Sequence, residues 1–271
     1  MKICPASFIP LISALFLAGC YQVPVTGRRA MALVDDKEVT KMSIAMFDGM
    51  KTQYKISRDK ELTARLKRVG ERLQQSIPIW DMPDADWEFV VFDVPKEINA
   101  FAMAGGKVGV FSGLFKIVKN DDQLASVIAH EIAHVTAKHV HEKLSRDLAV
   151  NAVGTVGVLG AGAAGVYGAD ILGEAYGLTA TVGGFAFDRS KEKEADYIGL
   201  IYMARAGYDP QEAVKVLEQL EAETANQPAT SPFFSTHPTT PERMIQLIEA
   251  MPKALAERAK SSVMTPPPIL K

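Results

Sequence analysis

Hydrophobic residues recur at helical spacing over two early segments. In Lys37–Met50 they fall at Val39, Met42 and Met46, and in Asp59–Ser76 at Leu62, Leu66, Val69 and Leu73. Positions three and four apart share one face of a 3.6-residue helix, so each segment predicts a helix packed on a core. The period then shortens to two. Trp87–Val94 alternates β-branched and aromatic residues, and Asn99–Met103 and Lys107–Phe111 follow, with Gly105-Gly106 between them as a hairpin signal. These three strands predict a small antiparallel sheet, in which Asn99–Met103 is a candidate edge for an extended substrate to join, against a plain structural hairpin with its edge covered. Helical spacing returns at Leu124, Val127, Ile128, Ile132 and Val135, a buried helix capped by Asp121 or Asp122. Downstream, Ile198–Ala206 runs to a stop at Gly207, and Asp209-Pro210 opens a helix reaching to near Glu223. Pro241–Ala250 forms the next, and Pro252 either kinks it or opens a short final helix ending near Lys260.

The helix after the strands carries ionisable groups on a buried stretch. Within Ala129–Val140, AHEIAHVTAKHV, residues His130, Glu131 and His134 spell H-E-x-x-H. Spacing of four puts both imidazoles on one helix face, one turn apart, where two ring nitrogens can share a tetrahedral Zn²⁺. Glu131 sits beside the metal without ligating it. Zinc held by three protein ligands keeps a position for water and lowers that water's pKa to roughly 7. Glu131 then takes the proton as general base and returns it to the leaving amine as general acid. The chemistry is peptide hydrolysis. Chance explains the motif poorly, because five His in 271 residues give H-E-x-x-H at random in on the order of 0.5 % of chains this long.

Two histidines do not complete such a site. The segment Arg189–Tyr197, RSKEKEADY, offers Glu192, Glu194 and Asp196. On a helix Glu192 and Asp196 share a face while Glu194 points elsewhere, so Glu192 is the expected third ligand. Asp196 is the expected carboxylate that accepts the other ring N–H of a ligating histidine and fixes its tautomer. A solvated acidic helix start, favoured by the helix dipole, competes for the same cluster. His139 and His141 are rival ligands for which a structural role is expected. A metzincin needs its third histidine at position 140 and a glycine at 137, where this chain has Val140 and Ala137. His141 lies seven residues past His134, about 10 Å further along a helix. His237 falls in Ser235-Thr236-His237-Pro238, a turn-rich loop. It is a candidate catalytic residue as oxyanion donor, or a group that occupies the open metal position and holds the site latent, against a plain role at the start of the next helix.

Between the two halves of the site, Leu148–Ala169 carries no charge and contains Gly160-x-Gly162-x-x-Gly165. Alone, this is a dinucleotide fingerprint. Its place between the second histidine and the third ligand, with no acidic residue about twenty positions on in a strand, argues against a nicotinamide enzyme. Its length admits a membrane helix, but its Ala and Gly content makes it weakly hydrophobic, and a small-residue helix covering the cleft or touching lipid is preferred.

The chain starts MKICPASFIPLISALFLAGC, with a cation at Lys2, an apolar run from Phe8 to Phe16 and then Leu17-Ala18-Gly19-Cys20. This reads as a secretory signal, too short for a membrane span. Its end resembles a bacterial lipobox, which implies cleavage before Cys20 and lipidation there. Tyr21 in place of aspartate then favours the outer membrane by the lipoprotein sorting pattern. The only cysteines are Cys4 and Cys20, so the mature chain has no disulfide and its metal site relies on His and carboxylates. A formal charge of −2 offers no basic field for nucleic acid. With 48 % hydrophobic and 23 % charged residues, one globular domain is expected. The expected organisation is signal peptide 1–19, lipidated N-terminus and tether 20–36, catalytic domain 37–260 and flexible tail 261–271.

The stretch Glu97–Gly113, EINAFAMAGGKVGVFSG, together with the H-E-x-x-H helix, resembles the HtpX-like, CAAX-prenyl-protease-related zinc metallopeptidases, especially their bacterial lipoprotein branch. Members commonly read N-A-F-A-x-x-G-G, a strand, S-G-L and then the metal helix. Ala104 departs from the proline many of them carry. Pro24–Val34 resembles the opening of the lipoprotein members, R-x-x-E-x-E-A-D matches Glu192 and Asp196, and S-T-H-P followed by an arginine matches His237 and Arg243. The resemblance implies a zincin-like α+β fold, mostly helical with a small antiparallel sheet, and a soluble body tethered at the periplasmic face of the outer membrane. It implies one Zn²⁺ per chain, protein or peptide substrates, a role in degrading misfolded outer-membrane proteins, and envelope assembly proteins as possible partners. A zinc-bound periplasmic chaperone or assembly scaffold with little turnover is the alternative.

Overall fold

A computed structural model of the chain describes residues 20–82, 85–154, 188–226 and 236–261. The expected signal peptide 1–19, the part of Leu148–Ala169 beyond Gly154 and the tail 262–271 lie outside the described residues. The described chain opens with an antiparallel hairpin of β1 (Cys20–Gln22) and β2 (Arg29–Met31). The segment read as a tether therefore turns back on itself. Val23 N–H donates to the Arg28 carbonyl at 2.8 Å and Gly27 N–H to that of Val23 at 2.9 Å, with Gly27 at φ 70°, where a glycine has no Cβ to clash. The hairpin is fixed to the body by the Tyr21 hydroxyl, which donates to the Thr136 carbonyl at 2.7 Å, and by burial of Val23 and Ala30.

Two helices follow where the hydrophobic spacing puts them, α1 (Asp36–Gln53) and α2 (Lys60–Ser76). Each starts on an aspartate whose side chain accepts from otherwise unpaired amides: Asp35 from Lys37 at 2.8 Å and Asp59 from Glu61 at 2.9 Å. Strands β3 (Glu88–Phe92), β4 (Ala100–Met103) and β5 (Lys107–Phe111) form a sheet ordered β3-β5-β4. β4 and β5 are the expected hairpin, turning through Gly105 and Gly106 at φ 85° and 77°. β3, however, runs parallel to β5, so the sheet is mixed. A period of two marks a strand and says nothing of its direction. The seven residues of Asp93–Asn99 are too many for a tight turn and carry the chain past β5 to its far side. β4 is thus an edge strand, but all four of its residues are buried, the arrangement of a structural hairpin with a covered edge. Phe47 of α1 packs against Phe92 and Phe101 of the sheet, with ring centroids 6.1 and 6.3 Å away.

The other α-helices among the described residues are α3 (Asp121–Thr136), α4 (His139–Gly154), α5 (Arg189–Arg205), α6 (Gln211–Asn226) and α7 (Pro241–Lys260). Asn120, rather than Asp121 or Asp122, caps α3 by accepting from Gln123 N–H at 2.8 Å. The two aspartates occupy the first turn, where the helix dipole favours them. α3 is the central element, packed by β4, α2, α5 and α6. α5 comes closest at Gly199, where a Cβ would stand 2.8 Å from His130 N and 2.9 Å from its Cα. Only glycine permits that approach, and it brings the first two turns of α5 against the H-E-x-x-H face. α3 stops at Ala137, Lys138 takes φ 54°, and α4 begins at His139. α7 runs through Pro252 as one helix. Pro252 has no amide to donate to the carbonyl of Ile248, four residues earlier on an exposed part of the helix. Among the described residues no helix is long and apolar enough to cross a membrane.

Candidate metal centre

α3 and α5 bring three of the predicted ligands together, and the loop before α7 adds a fourth group. His130 Nε2 lies 3.1 Å from His134 Nε2. Glu192 Oε1 is 3.2 Å from His134 Nε2, and its Oε2 is 3.5 Å from His130 Nε2. His237 Nδ1 stands 3.1 Å from both Glu192 oxygens and 3.3 Å from His130 Nε2. One donor atom from each of His130, His134, Glu192 and His237 falls within 4.8 Å of the others, and all four residues are buried. Glu131 is outside this group. Its carboxyl is buried, with Oε1 3.6 Å from His237 Nε2 and without a hydrogen-bond partner.

The donor set fits a cation on its own chemistry. Asp196 Oδ1 lies 2.9 Å from His130 Nδ1, and His139 Nδ1 lies 2.9 Å from His134 Nδ1. With both Nδ1 positions engaged outward, the two Nε2 atoms are left facing each other and a carboxylate. A proton or a metal ion has to sit among them. The same field acts on His130: burial opposes its charge, but the adjoining carboxylates of Asp196 and Glu192 outweigh burial and hold its pKa up at about 10. Burial dominates at His134 and drives its pKa down, leaving one histidine of the pair neutral. Burial also opposes the Glu192 charge, yet His237 and His134 keep its carboxyl well below the usual range. Glu131 goes the other way. Burial raises its pKa more than His237 and His130 lower it, which moves a carboxyl toward the range a general base needs.

Asp196 is itself clamped. Arg243 Nε donates to its Oδ2 at 2.6 Å and Nη2 to its Oδ1 at 2.7 Å, while Nη1 reaches Glu192 Oε2 at 3.0 Å. Nη1 also donates to the Pro238 carbonyl at 3.1 Å, next to His237. His141 is remote from this group and pairs with Asp36, Nε2 to Oδ1 at 3.2 Å. Sequence reasoning gives His139 only a structural role, turns Glu194 away from the metal and leaves out Arg28. Glu194 is off the ligand face, as spacing requires, but what it meets there is His139 Nε2 at 3.1 Å and the Arg28 guanidinium. The break at Lys138 turns His139 back toward His134, which a continuous helix would not do. Cys20 begins β1.

Residues 60–251 match the family described as Peptidase family M48. The chain is 35 % identical over 193 residues to the mitochondrial metalloendopeptidase OMA1 of Schizosaccharomyces pombe, covering 71 % of this chain and 55 % of that protein. It is 35 % identical over 158 residues to the beta-barrel assembly-enhancing protease of Escherichia coli K12, covering 55 % and 31 %. With the putative beta-barrel assembly-enhancing protease of Vibrio cholerae it shares 31 % over 201 residues, covering 72 % and 40 %. The chain thus spans about half, or less, of the length of each of these relatives. The family match contains His130, His134, Glu192 and His237, the whole of the buried cluster, with Glu131 beside it, and the chain belongs to peptidase family M48.

Proposed function

We propose that the chain is a zinc-dependent endopeptidase that hydrolyses peptide bonds of envelope proteins, misfolded or unassembled outer-membrane proteins among them. The observation that carries this reading is the buried Glu131 carboxyl, whose Oε1 has no hydrogen-bond partner, beside four converging donors to which it does not belong. His130, His134 and Glu192 hold the ion, and a set of two His and one Glu favours zinc over other divalent metals. When bound, zinc supplies an acidified water and polarises the scissile carbonyl. Glu131 receives the water's proton and passes it to the departing amine. Asp196 holds the His130 ring, and Arg243 holds Asp196. The beta-barrel assembly-enhancing names of two relatives and the lipobox-like Leu17–Cys20 support an envelope location, with lipid on Cys20 and the body facing the periplasm. Since the Tyr21 hydroxyl binds the carbonyl of Thr136, two residues past His134, such an anchor would hold the metal centre close to the membrane.

His237 would supply a fourth donor to an ion held at this cluster. A zinc with four protein donors is closed to water, and this contact favours a second reading, a zinc-bound periplasmic chaperone or assembly scaffold with little turnover. The variant His237→Ala separates the two. If the enzyme is held latent, cleavage of an unfolded protein by the zinc-loaded full chain rises at least several-fold. If the chain is a scaffold, cleavage stays at background. A loss of about 100-fold or more would place His237 at the developing oxyanion instead.

A further inference from the structure

We propose that the N-terminal hairpin is part of the metal centre: Arg28, acting through Glu194 and His139, fixes the tautomer of His134. The proposal rests on the metal reading above. Arg28 Nε donates to Glu194 Oε1 at 3.0 Å and Oε2 at 2.8 Å, and its Nη2 donates to Glu142 Oε2 at 2.9 Å. Thr26, in the same hairpin, donates its hydroxyl to Glu194 Oε1 at 2.8 Å. A carboxylate held by a guanidinium is acceptor-only, so the hydrogen on the 3.1 Å contact between His139 Nε2 and Glu194 Oε2 belongs to His139. A neutral imidazole with its hydrogen on Nε2 has a lone pair on Nδ1. The hydrogen on the 2.9 Å contact between the two Nδ1 atoms therefore belongs to His134. That leaves the His134 lone pair on Nε2, the atom 3.1 Å from His130 Nε2 and 3.2 Å from Glu192 Oε1. Each step follows from the one before, and the first is set outside the helical body.

The two ligating histidines are thus oriented by matching devices of different length. His130 meets a carboxylate directly, Asp196, which is clamped by Arg243. His134 meets its carboxylate, Glu194, through an interposed imidazole, and the clamp is Arg28. α5 supplies the ligand Glu192 and both orienting carboxylates, Glu194 and Asp196, from its first two turns. Arg28 and His139 are positioning residues: neither contacts the group that reacts.

The test measures zinc affinity of the full chain by competition with a chromophoric chelator, and the visible absorption of the cobalt(II) form. His139→Leu is expected to weaken zinc binding about 10- to 100-fold, the usual cost of losing an outer-shell partner, and to change the cobalt bands, with helix content unchanged. Arg28→Ala, at a side chain 32 % exposed, is expected to shift both in the same direction by a smaller factor, and Arg28→Lys to recover part of the loss. A folded His139→Leu with the affinity and cobalt spectrum of the parent would overturn the proposal. If that variant does not fold, an unchanged Arg28→Ala overturns it equally. The parent chain is the control that keeps the two claims apart. Should it take up no zinc, the metal reading itself falls; should it bind tightly and the variants match it, only the relay falls.

Discussion

Replacing Glu131 by glutamine is expected to lower the rate of peptide hydrolysis by about 1,000-fold while leaving one zinc per chain. General acid–base groups contribute about 10²- to 10⁴-fold, and this carboxyl would serve two proton transfers in one turnover. Its geometry separates it from metal holding: it is not among the four converging donors, and its Oε1 has no hydrogen-bond partner. Glutamine fills the same volume and lacks only the basic oxygen. Burial lifts the Glu131 pKa, so the native carboxylate is a stronger base than an exposed glutamate, and the amide has no comparable basicity. Metal content and rate are measured on the same preparation. A variant that keeps its zinc and at least a tenth of the parent rate would remove Glu131 from the chemistry. A variant that loses its zinc would make Glu131 part of the binding set.

Arg243→Ala is expected to destabilise the metal-free chain by about 3 to 5 kcal/mol, the cost of stripping one partner from a buried ion pair. Arg243 is 4 % exposed and satisfies both oxygens of Asp196, one oxygen of Glu192 and the Pro238 carbonyl. Truncation takes the guanidinium from two buried carboxylates and leaves them only the neighbouring histidines. Both carboxyls sit below their usual pKa values, Asp196 largely because the Arg243 charge overcomes the burial that would raise it. Arg243→Lys should recover only part of the loss, since an ammonium cannot repeat the two-pronged contact with Asp196. Denaturant unfolding of the metal-free proteins reads the difference. A change under about 1 kcal/mol would show that this ion pair does not support the fold.

The grouping of His130, His134 and Glu192 is legible in the sequence because helical spacing is a local property. His130 and His134 need only one helix to share a face, and Glu192 with Asp196 needs only another. The approach of those helices, through Gly199 against the backbone of His130, is tertiary and leaves no periodic trace. The same holds for His139. Sequence spacing gives His139 and His141 a structural role, but it does not show that His139 turns back onto His134 while His141 turns to Asp36. The break falls on Lys138 at φ 54°, a conformation no lysine advertises. Glu194 is off the ligand face, but a face turned from the metal need not be turned to solvent. Strand positions follow from the period of two, whereas the parallel direction of β3 depends on where Asp93–Asn99 leads. Pro24 and Gly27 read as a tether in the sequence, and only the contacts of Tyr21, Thr26 and Arg28 show that this segment is docked on the body.

The central claim, that a zinc held by His130, His134 and Glu192 drives hydrolysis with Glu131 as base, is tested most directly by metal removal and return. The full chain would be stripped with a chelator, titrated with zinc, and assayed for cleavage of an unfolded protein at each point. The account predicts no cleavage by the stripped chain, recovery that saturates at one zinc per chain, and no recovery in a His134→Ala variant at the same zinc concentration. Cleavage that survives stripping, or recovery in His134→Ala equal to that of the parent, would contradict it.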